Sequence, residues 1–411
     1  MKIYQVGGAV RDKLLGIQAT DVDHVVIGAT PDEMIDLGFQ PVGKHFPVFL
    51  HPETKAEYAL ARKEIKTGPK HTDFDFVFDK SVTLQEDVVR RDFTINALVF
   101  DEATGEIIDL VDGQADLKKK LIRHINSSHF VEDPLRVLRM CRFAAQLDFS
   151  IHVETMALAT QMVQEGMLNH LSKERVWQEF EKALGTPFFD KFVLSMRQCG
   201  ALKVLLPEVD VLFQVPEKEK FHPEKNSGDH TILSLQAGQN FAKEIKFAIL
   251  LHDVGKGTTP KDILPSHYEH DKRGIPLVQE ICKRLKAPNK YKSLAQMGAE
   301  MHMKMRDVPY MRLSKLFDFV AKISNNFKNE QKIQNLFLIC EADMKGRGAP
   351  LEQTQFDNFN EAKKRVLNVF SYMQEIKITN MPKFDSLPKD KRIAEHFRQY
   401  ALKQLEQKMK N

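Results

Sequence analysis

Two carboxylates one residue apart, in Asp21-Val22-Asp23, enter a run that reads as a β-strand over Val22 to Ile27. Side chains alternate across a strand, so both carboxylates face one side and Val22 the other. Hard oxygen ligands so arranged suit magnesium, which commonly bridges one or two carboxylates to substrate phosphates, and a second ion would activate an attacking hydroxyl. Upstream, Gly7-Gly8-Ala9-Val10-Arg11-Asp12 follows a strand over Ile3 to Val6 and opens a helix. Glycines there let a phosphate approach the backbone while helix amides face it, and Arg11 supplies a mobile charge. An isolated pair of this kind more often caps a turn. Beside the glycine turn it points instead to nucleotidyl transfer.

Two arginine groups add to that chemistry. Arg90-Arg91-Asp92-Phe93-Thr94-Ile95-Asn96 places adjacent guanidiniums before a helix start, and a guanidinium fork bonds phosphate oxygens bidentately. In Glu132-Asp133-Pro134-Leu135-Arg136, Asp133 stands as helix N-cap with Pro134 as first helical residue. Arg136, Arg139 and Arg142 then recur every third residue and drift slowly around one helix face.

A different chemistry is written further along. His230 precedes the adjacent pair His252-Asp253, which ends an apolar helical run from Phe247 to Leu251 and leads into Val254-Gly255-Lys256. His267, His270, His302 and Asp343 follow. Imidazole with carboxylate is a donor set for transition metals. We read His252 and Asp253 as the core of such a site, His230 and Asp343 next, and His270 and His302 as a second position. His267 is the alternate for His270, because Pro265 to Gly274 has no periodicity to separate them.

Positioning these groups takes several compact units, since 411 residues exceed the usual single-domain size. Residues 1 to about 115 mix short strands (Ile3 to Val6, Val22 to Ile27, Val48 to His51, Glu57 to Arg62) with helical stretches such as Pro31 to Leu37, an α/β pattern. From Pro134 on, the pattern is helical almost throughout. Breaks at Pro216 to Gly228 and Gly346 to Pro350 complete an expected division into 1–133, 134–225, 226–345 and 346–411. The basic stretch from Lys389 keeps Ile393, Phe397, Tyr400, Leu402 and Leu405, which favours a helix over disorder. Hydrophobic content of 42% and charged content of 28%, without a long apolar run, predict a soluble chain off the membrane. The start has no signal-peptide pattern, so a cytoplasmic location is expected, with the four scattered cysteines as buried thiols. A net charge of +4 is too balanced to reveal a nucleic-acid partner.

The glycine turn, the Asp21/Asp23 pair, the Arg90-Arg91 segment and the Asp133–Arg136 segment, in this order, resemble a class II tRNA nucleotidyltransferase, the CCA-adding family of the polymerase-beta superfamily. The histidine series resembles the HD phosphohydrolases, which together gives the multifunctional CCA arrangement. The resemblance implies an α+β head with a small mixed sheet, then an all-α neck, body, HD domain and helical tail. By that resemblance Gly8 and Arg11 contact the nucleotide triphosphate, Asp21 and Asp23 hold catalytic magnesium, and Arg91 binds ribose and phosphate. Asp133 and Arg136 form an amino-acid template for C and A, extended by Arg139 and Arg142. Glu57 is either a third metal-site carboxylate or ordinary strand polarity. Asp109-Leu110-Val111-Asp112-Gly113 resembles the family's hinge, and Ser172 to Glu179 its neck-supporting helix, with Ser172 as cap and Arg175 paired to Glu179. The implied partners are tRNA, CTP and ATP, with the chain a monomer or homodimer. The HD site would take nickel, cobalt or manganese and hydrolyse phosphoesters, as a 2′,3′-cyclic phosphodiesterase, 2′-nucleotidase or phosphatase. A bacterial poly(A) polymerase shares the head motifs, but Val42-Gly43-Lys44-His45-Phe46-Pro47 looks like the CCA-adding type and the HD unit points the same way. A phosphohydrolase with a non-catalytic RNA-docking head is the alternative of another class.

Overall fold

A computed structural model describes residues 1–18, 22–42, 48–66, 74–219, 223–376 and 391–408. The chain divides into two compact units, 1–183 with 191–204, and 184–190 with 205–411. The expected boundary at 133/134 therefore lies within the first unit, and that at 345/346 within the second.

The first unit is built on a mixed sheet. Its strands are β1 (Lys2–Val6), β2 (Asp23–Ile27), β3 (Gln40–Val42), β4 (Val48–Leu50) and β5 (Glu57–Leu60); β6 (Lys63–Lys66) and β7 (Phe74–Val77) pair separately, and β8 (Val99–Asp101) and β9 (Glu106–Ile108) complete the main sheet. The order is β3-β4-β5-β2-β1-β8-β9, with β2 and β5 parallel and the other neighbours antiparallel. Apolar residues cover both faces, which explains why β2 reads His24-Val25-Val26-Ile27 rather than alternating. Val25 packs with Val6, Val88 and Val99 on one face, and Val26 with Met34, Phe49 and Leu60 on the other. Two short strands, β10 (Leu121–Ile122) and β11 (Ser150–Ile151), pair in parallel beside the helix Leu135–Leu147. That helix buries Leu138, Cys141, Ala144 and Ala145.

Gly113 opens the helix Gly113–Lys118. A Cβ there would lie 2.4 Å from the Thr94 carbonyl oxygen, so this glycine answers a close backbone approach. Within the segment that resembles the hinge, Asp109 accepts from the amides of Val111, Gly113 and Gln114 and so shapes the turn.

The second unit is helical. The helices Ser227–Ala237, Lys243–Leu251, His270–Leu285, Asn289–Met305 and Glu330–Lys345 pack around Phe247, Tyr291 and Ile339, all fully buried. A second cluster joins Leu316, Phe337 and Val366 to Ala401 and Leu405 of the helix Lys391–Lys408. The basic C-terminal stretch is thus part of a core. All four cysteines are buried and free, and no helix among the described residues is long and apolar enough to cross a membrane.

Candidate functional sites

In the first unit, β1 leads into Gly7, whose φ of 77° is cheap only for glycine, and Gly8 starts the next helix. Asp23 pairs with Val6 in the antiparallel register, so its carboxylate stands at the sheet end where the glycine turn begins. The strand starts at Asp23 rather than Val22; Asp21 lies outside the described residues, as do 43–47 of the Val42 to His51 segment. One strand over, Tyr58 is the parallel partner of His24, and the two rings stack at 4.2 Å. The preceding residues, Glu57 and Asp23, therefore share the opposite face at the same sheet end, both exposed. Their oxygen donors are of the type magnesium takes.

Arginines surround this end of the sheet. Arg11 is not mobile: it is 3% exposed, with Nη1 donating to Asn96 Oδ1 at 2.6 Å and Nε to Asp12 at 2.8 Å. Its guanidinium lies 5.3 Å from the Phe143 ring, which Arg139 and Arg142 also approach at 5.4 and 4.1 Å. Three cations on one ring repel one another, so each needs an anion nearby. Asp92 accepts from Arg139 Nε at 2.8 Å, and Glu179 from Arg142 Nε at 2.6 Å. Glu179 is thereby taken by the helix Leu135–Leu147. The expected Arg175–Glu179 pair does not form; Arg175 donates instead to Asp133 at 2.7 Å, while Ser172 caps its helix as expected.

Asp133 also accepts from the Leu135 amide at 3.0 Å, the role expected of a cap. The assigned helix begins at Leu135, after Pro134. Arg136 donates to the carbonyls of His129 and Arg90 at 2.7 and 2.8 Å, which ties the template segment to the Arg90-Arg91 turn. Both side chains keep donors or lone pairs to spare for a base edge.

Arg91 approaches Gly7 and is held there by Asp87, to which its Nη2 donates at 2.9 Å; Arg90 Nε donates to the other Asp87 oxygen at 3.1 Å. Burial alone would raise the Asp87 carboxyl, but the charges of Arg91 and Arg90 outweigh it and hold it below the ordinary carboxylate value. Such an acid binds fewer protons folded than unfolded. Its contribution is complete above the ordinary carboxylate range and is lost as pH falls through the depressed native value. Asp87→Asn is accordingly expected to cost on the order of 3 kcal/mol at neutral pH by removing the buried charge that both guanidiniums share, and the loss should shrink in acid. Denaturation followed by fluorescence of Trp177, the single tryptophan, reads this unit.

In the second unit the histidines converge as two groups. His230, His252 and Asp343 form one, and Asp253, His270 and His302 the other, with donor atoms within 4.8 Å of one another in each. Asp253 faces both: Oδ2 is 3.2 Å from His252 Nε2, and Oδ1 is 3.3 and 3.5 Å from Nε2 of His270 and His302. Gly255 permits this, since a Cβ would lie 2.0 Å from the His270 carbonyl oxygen. Every imidazole has Nδ1 anchored on a carbonyl: His230 on Gly346, His252 on Ile249, His270 on His267 and His302 on Gly298. That anchors each ring through Nδ1 and turns Nε2 inward, where its lone pair would face a cation once the ring is neutral. His252 Nε2 and Asp253 Oδ1 are buried without a well-formed hydrogen bond among the described residues, as expected of groups shaped for a cation, while Lys256 Nζ lies 2.8 Å from Asp253 Oδ2. His267 bonds Thr259 and the Pro216 carbonyl and stands outside both groups.

The electrostatics match. Burial opposes ionisation of Asp253 and Asp343, yet the surrounding imidazoles, with Lys256 beside Asp253, hold both carboxyls well below the ordinary range. Burial would lower His230, but its bonds to Asp343 and Glu224 raise it to about 9, whereas burial keeps His302 low. Lys256 Nζ sits between Asp253 and Glu217 at 2.8 and 2.7 Å. Asp87, Asp92, Glu217 and Glu224 were not foreseen. Asp87 alone had a local signal, three and four residues before its arginines; the others act across the fold.

Three described families match successive parts of the chain: "Poly A polymerase head domain" over residues 3–123, "Probable RNA and SrmB- binding site of polymerase A" over 148–213, and "HD domain" over 228–344. A protein of Vibrio parahaemolyticus serotype O3:K6 named Multifunctional CCA protein is 45% identical over 355 residues, spanning 84% of this chain and 86% of its own. A solved CCA-adding enzyme in an apo form superposes with TM-score 0.66 at 22% identity, over 98% of this chain and 87% of its own. The Thermotoga maritima CCA-adding enzyme complexed with tRNA gives TM-score 0.62 at 21% identity, over 98% and 87%. At those identities the two structures speak to the fold alone.

Proposed function

Since the chain belongs to the multifunctional CCA protein family, we propose that its head adds C, C and A in turn from CTP and ATP to the 3′ end of tRNA, choosing each nucleotide without a template strand. The observation that carries this is Asp23 beside the Gly7 turn, with Arg91 next to that turn and Arg11, Arg139 and Arg142 gathered on one ring. In each addition the tRNA 3′ oxygen bonds to the α-phosphorus and gives up its proton as the bond to the β-phosphate breaks and pyrophosphate leaves. Magnesium, held by Asp21 and Asp23, would supply charge stabilisation at the phosphates and a more acidic hydroxyl. Arg91 and Arg11 orient the triphosphate through fixed donors, so little reorganisation is left for the reaction itself. Asp133 and Arg136 accept from and donate to the Watson–Crick edge of C and then A, and leave G and U with unpaired polar groups.

The four-histidine cluster supports a second activity, metal-dependent hydrolysis of a phosphoester such as a 2′,3′-cyclic phosphate. A transition metal of the nickel, cobalt or manganese kind would act there as Lewis acid, held by His230, His252 and Asp343 and by Asp253, His270 and His302. The head family is also that of poly(A) polymerases, so nucleotide order is the discriminating test. With magnesium and CTP alone, tRNA lacking its CCA end should gain two residues and stop, and ATP alone should add one residue to the product. ATP alone extending the unprimed tRNA into a long tail would favour the polymerase.

A further inference from the structure

Beside the histidine cluster lies a cavity of about 200 Å³ whose wall includes His302 and Asp343, one member of each metal-binding group. Its other polar lining is Arg306, Arg347, Gln355 and Asn358, so among the described residues Asp343 is the one lining carboxylate and the remaining groups are hydrogen-bond donors or neutral amides. Such a lining selects an anion. Gln355, Asn358 and the neighbouring Phe359 sit three and four residues apart on the helix Gln353–Glu375, which falls beyond the segment matching the HD domain.

Of the nearby cations, Arg347 is the one built for a ligand. Lys256 is neutralised by Asp253 and Glu217. Arg306 is exposed, its guanidinium bonding only the Met303 sulfur among described contacts. Arg347 has a buried Nε without a hydrogen-bond partner, and no acidic partner among the described residues. Its backbone is pinned on both sides: Gly346 accepts from His230 Nδ1 at 3.1 Å, and the Gly348 amide donates to Glu224 at 3.1 Å. The second Glu224 oxygen bonds His230 Nδ1 at 3.0 Å. A Cβ on Gly346 would strike Ser234 at 2.1 Å, so at this glycine the loop packs directly on the helix Ser227–Ala237. Glu224 thus holds both His230, a candidate metal ligand, and the loop that carries the Arg347 guanidinium.

We propose that Arg347, aided by Gln355 and Asn358, binds the phosphate group of the hydrolase substrate, so that the helix Gln353–Glu375 completes the hydrolytic pocket. The inference rests on the hydrolytic reading of this unit. It is tested by calorimetric titration of inorganic phosphate into the metal-loaded full chain, with metal content measured on the same samples. Wild type should bind phosphate; Arg347→Met should weaken it at least tenfold at unchanged metal content, and Arg347→Lys should restore part of the affinity. Addition of C and A by the head should be unaffected in both. Phosphate affinity of Arg347→Met within twofold of wild type, or no phosphate binding by wild type, would overturn the proposal. If Arg347→Met loses metal, Arg347→Lys decides: wild-type affinity supports a cation at this place, and affinity as weak as the methionine variant's at full metal content overturns it. Phosphate binding without any hydrolysis would sink the hydrolytic reading while leaving Arg347 as an anion-binding residue.

Discussion

Asp23→Ala should lower the rate of CTP incorporation into tRNA by roughly a thousandfold or more, about 4 kcal/mol of transition-state stabilisation, with the fold intact. The second half of that expectation follows from place. Asp23 is exposed at the head of β2 and has no described hydrogen bond or ion pair, so removing its carboxylate leaves no buried partner stranded. Substitutions of that kind stay within about 0.5 kcal/mol of the parent stability. A large loss of rate with an unchanged denaturation midpoint separates a metal-holding role from a structural one; retained addition would remove Asp23 from the chemistry. Glu57, on the same face one strand away, provides a graded comparison. Its alanine variant should lose rate if it is a third carboxylate of the site.

The other large effect is expected at the histidine cluster. Asp253→Asn keeps the shape of the side chain but removes the charge that faces both groups of ligands. Bound transition metal should fall, and hydrolysis of a 2′,3′-cyclic phosphate should drop by more than about a hundredfold, beyond what loss of an outer hydrogen-bonding partner does. Lys256 retains Glu217 at 2.7 Å, so the variant does not strand a buried cation. C and A addition by the head should persist. Elemental analysis beside both assays reads all three, and an Asp253→Asn protein with full metal and full hydrolysis would remove this aspartate from the site.

What could be read from the chain was whatever depends on neighbours in sequence. The glycine turn before a helix and the apolar run ending in His252-Asp253 are local patterns, and each corresponds to a local structure; of the Asp21/Asp23 pair only Asp23, at the start of β2, falls within the described residues. Groups that meet through the fold left no such trace. The four-residue spacing pairs Arg175 with Glu179, but Glu179 is buried against the helix Leu135–Leu147 and satisfies Arg142, so Arg175 turns to Asp133. The sequence around Arg11 suggests a mobile charge because nothing in its vicinity announces Asn96 or Phe143. The ambiguity between His267 and His270 rested on a segment without periodicity. It is separated by Gly255, which draws the turn after Asp253 against the start of the helix His270–Leu285. Arg347 could not have been singled out, since its meaning comes from Glu224 and His230 across the unit.

The central claim is ordered addition by the head, and the product ladder of one reaction tests it most directly. Purified full chain, magnesium, CTP and ATP together with tRNA lacking its 3′ CCA should yield a single limit product three nucleotides longer, with the added sequence C, C, A and no further growth. A ladder of long A tails, or no extension at all with intact protein, would contradict it.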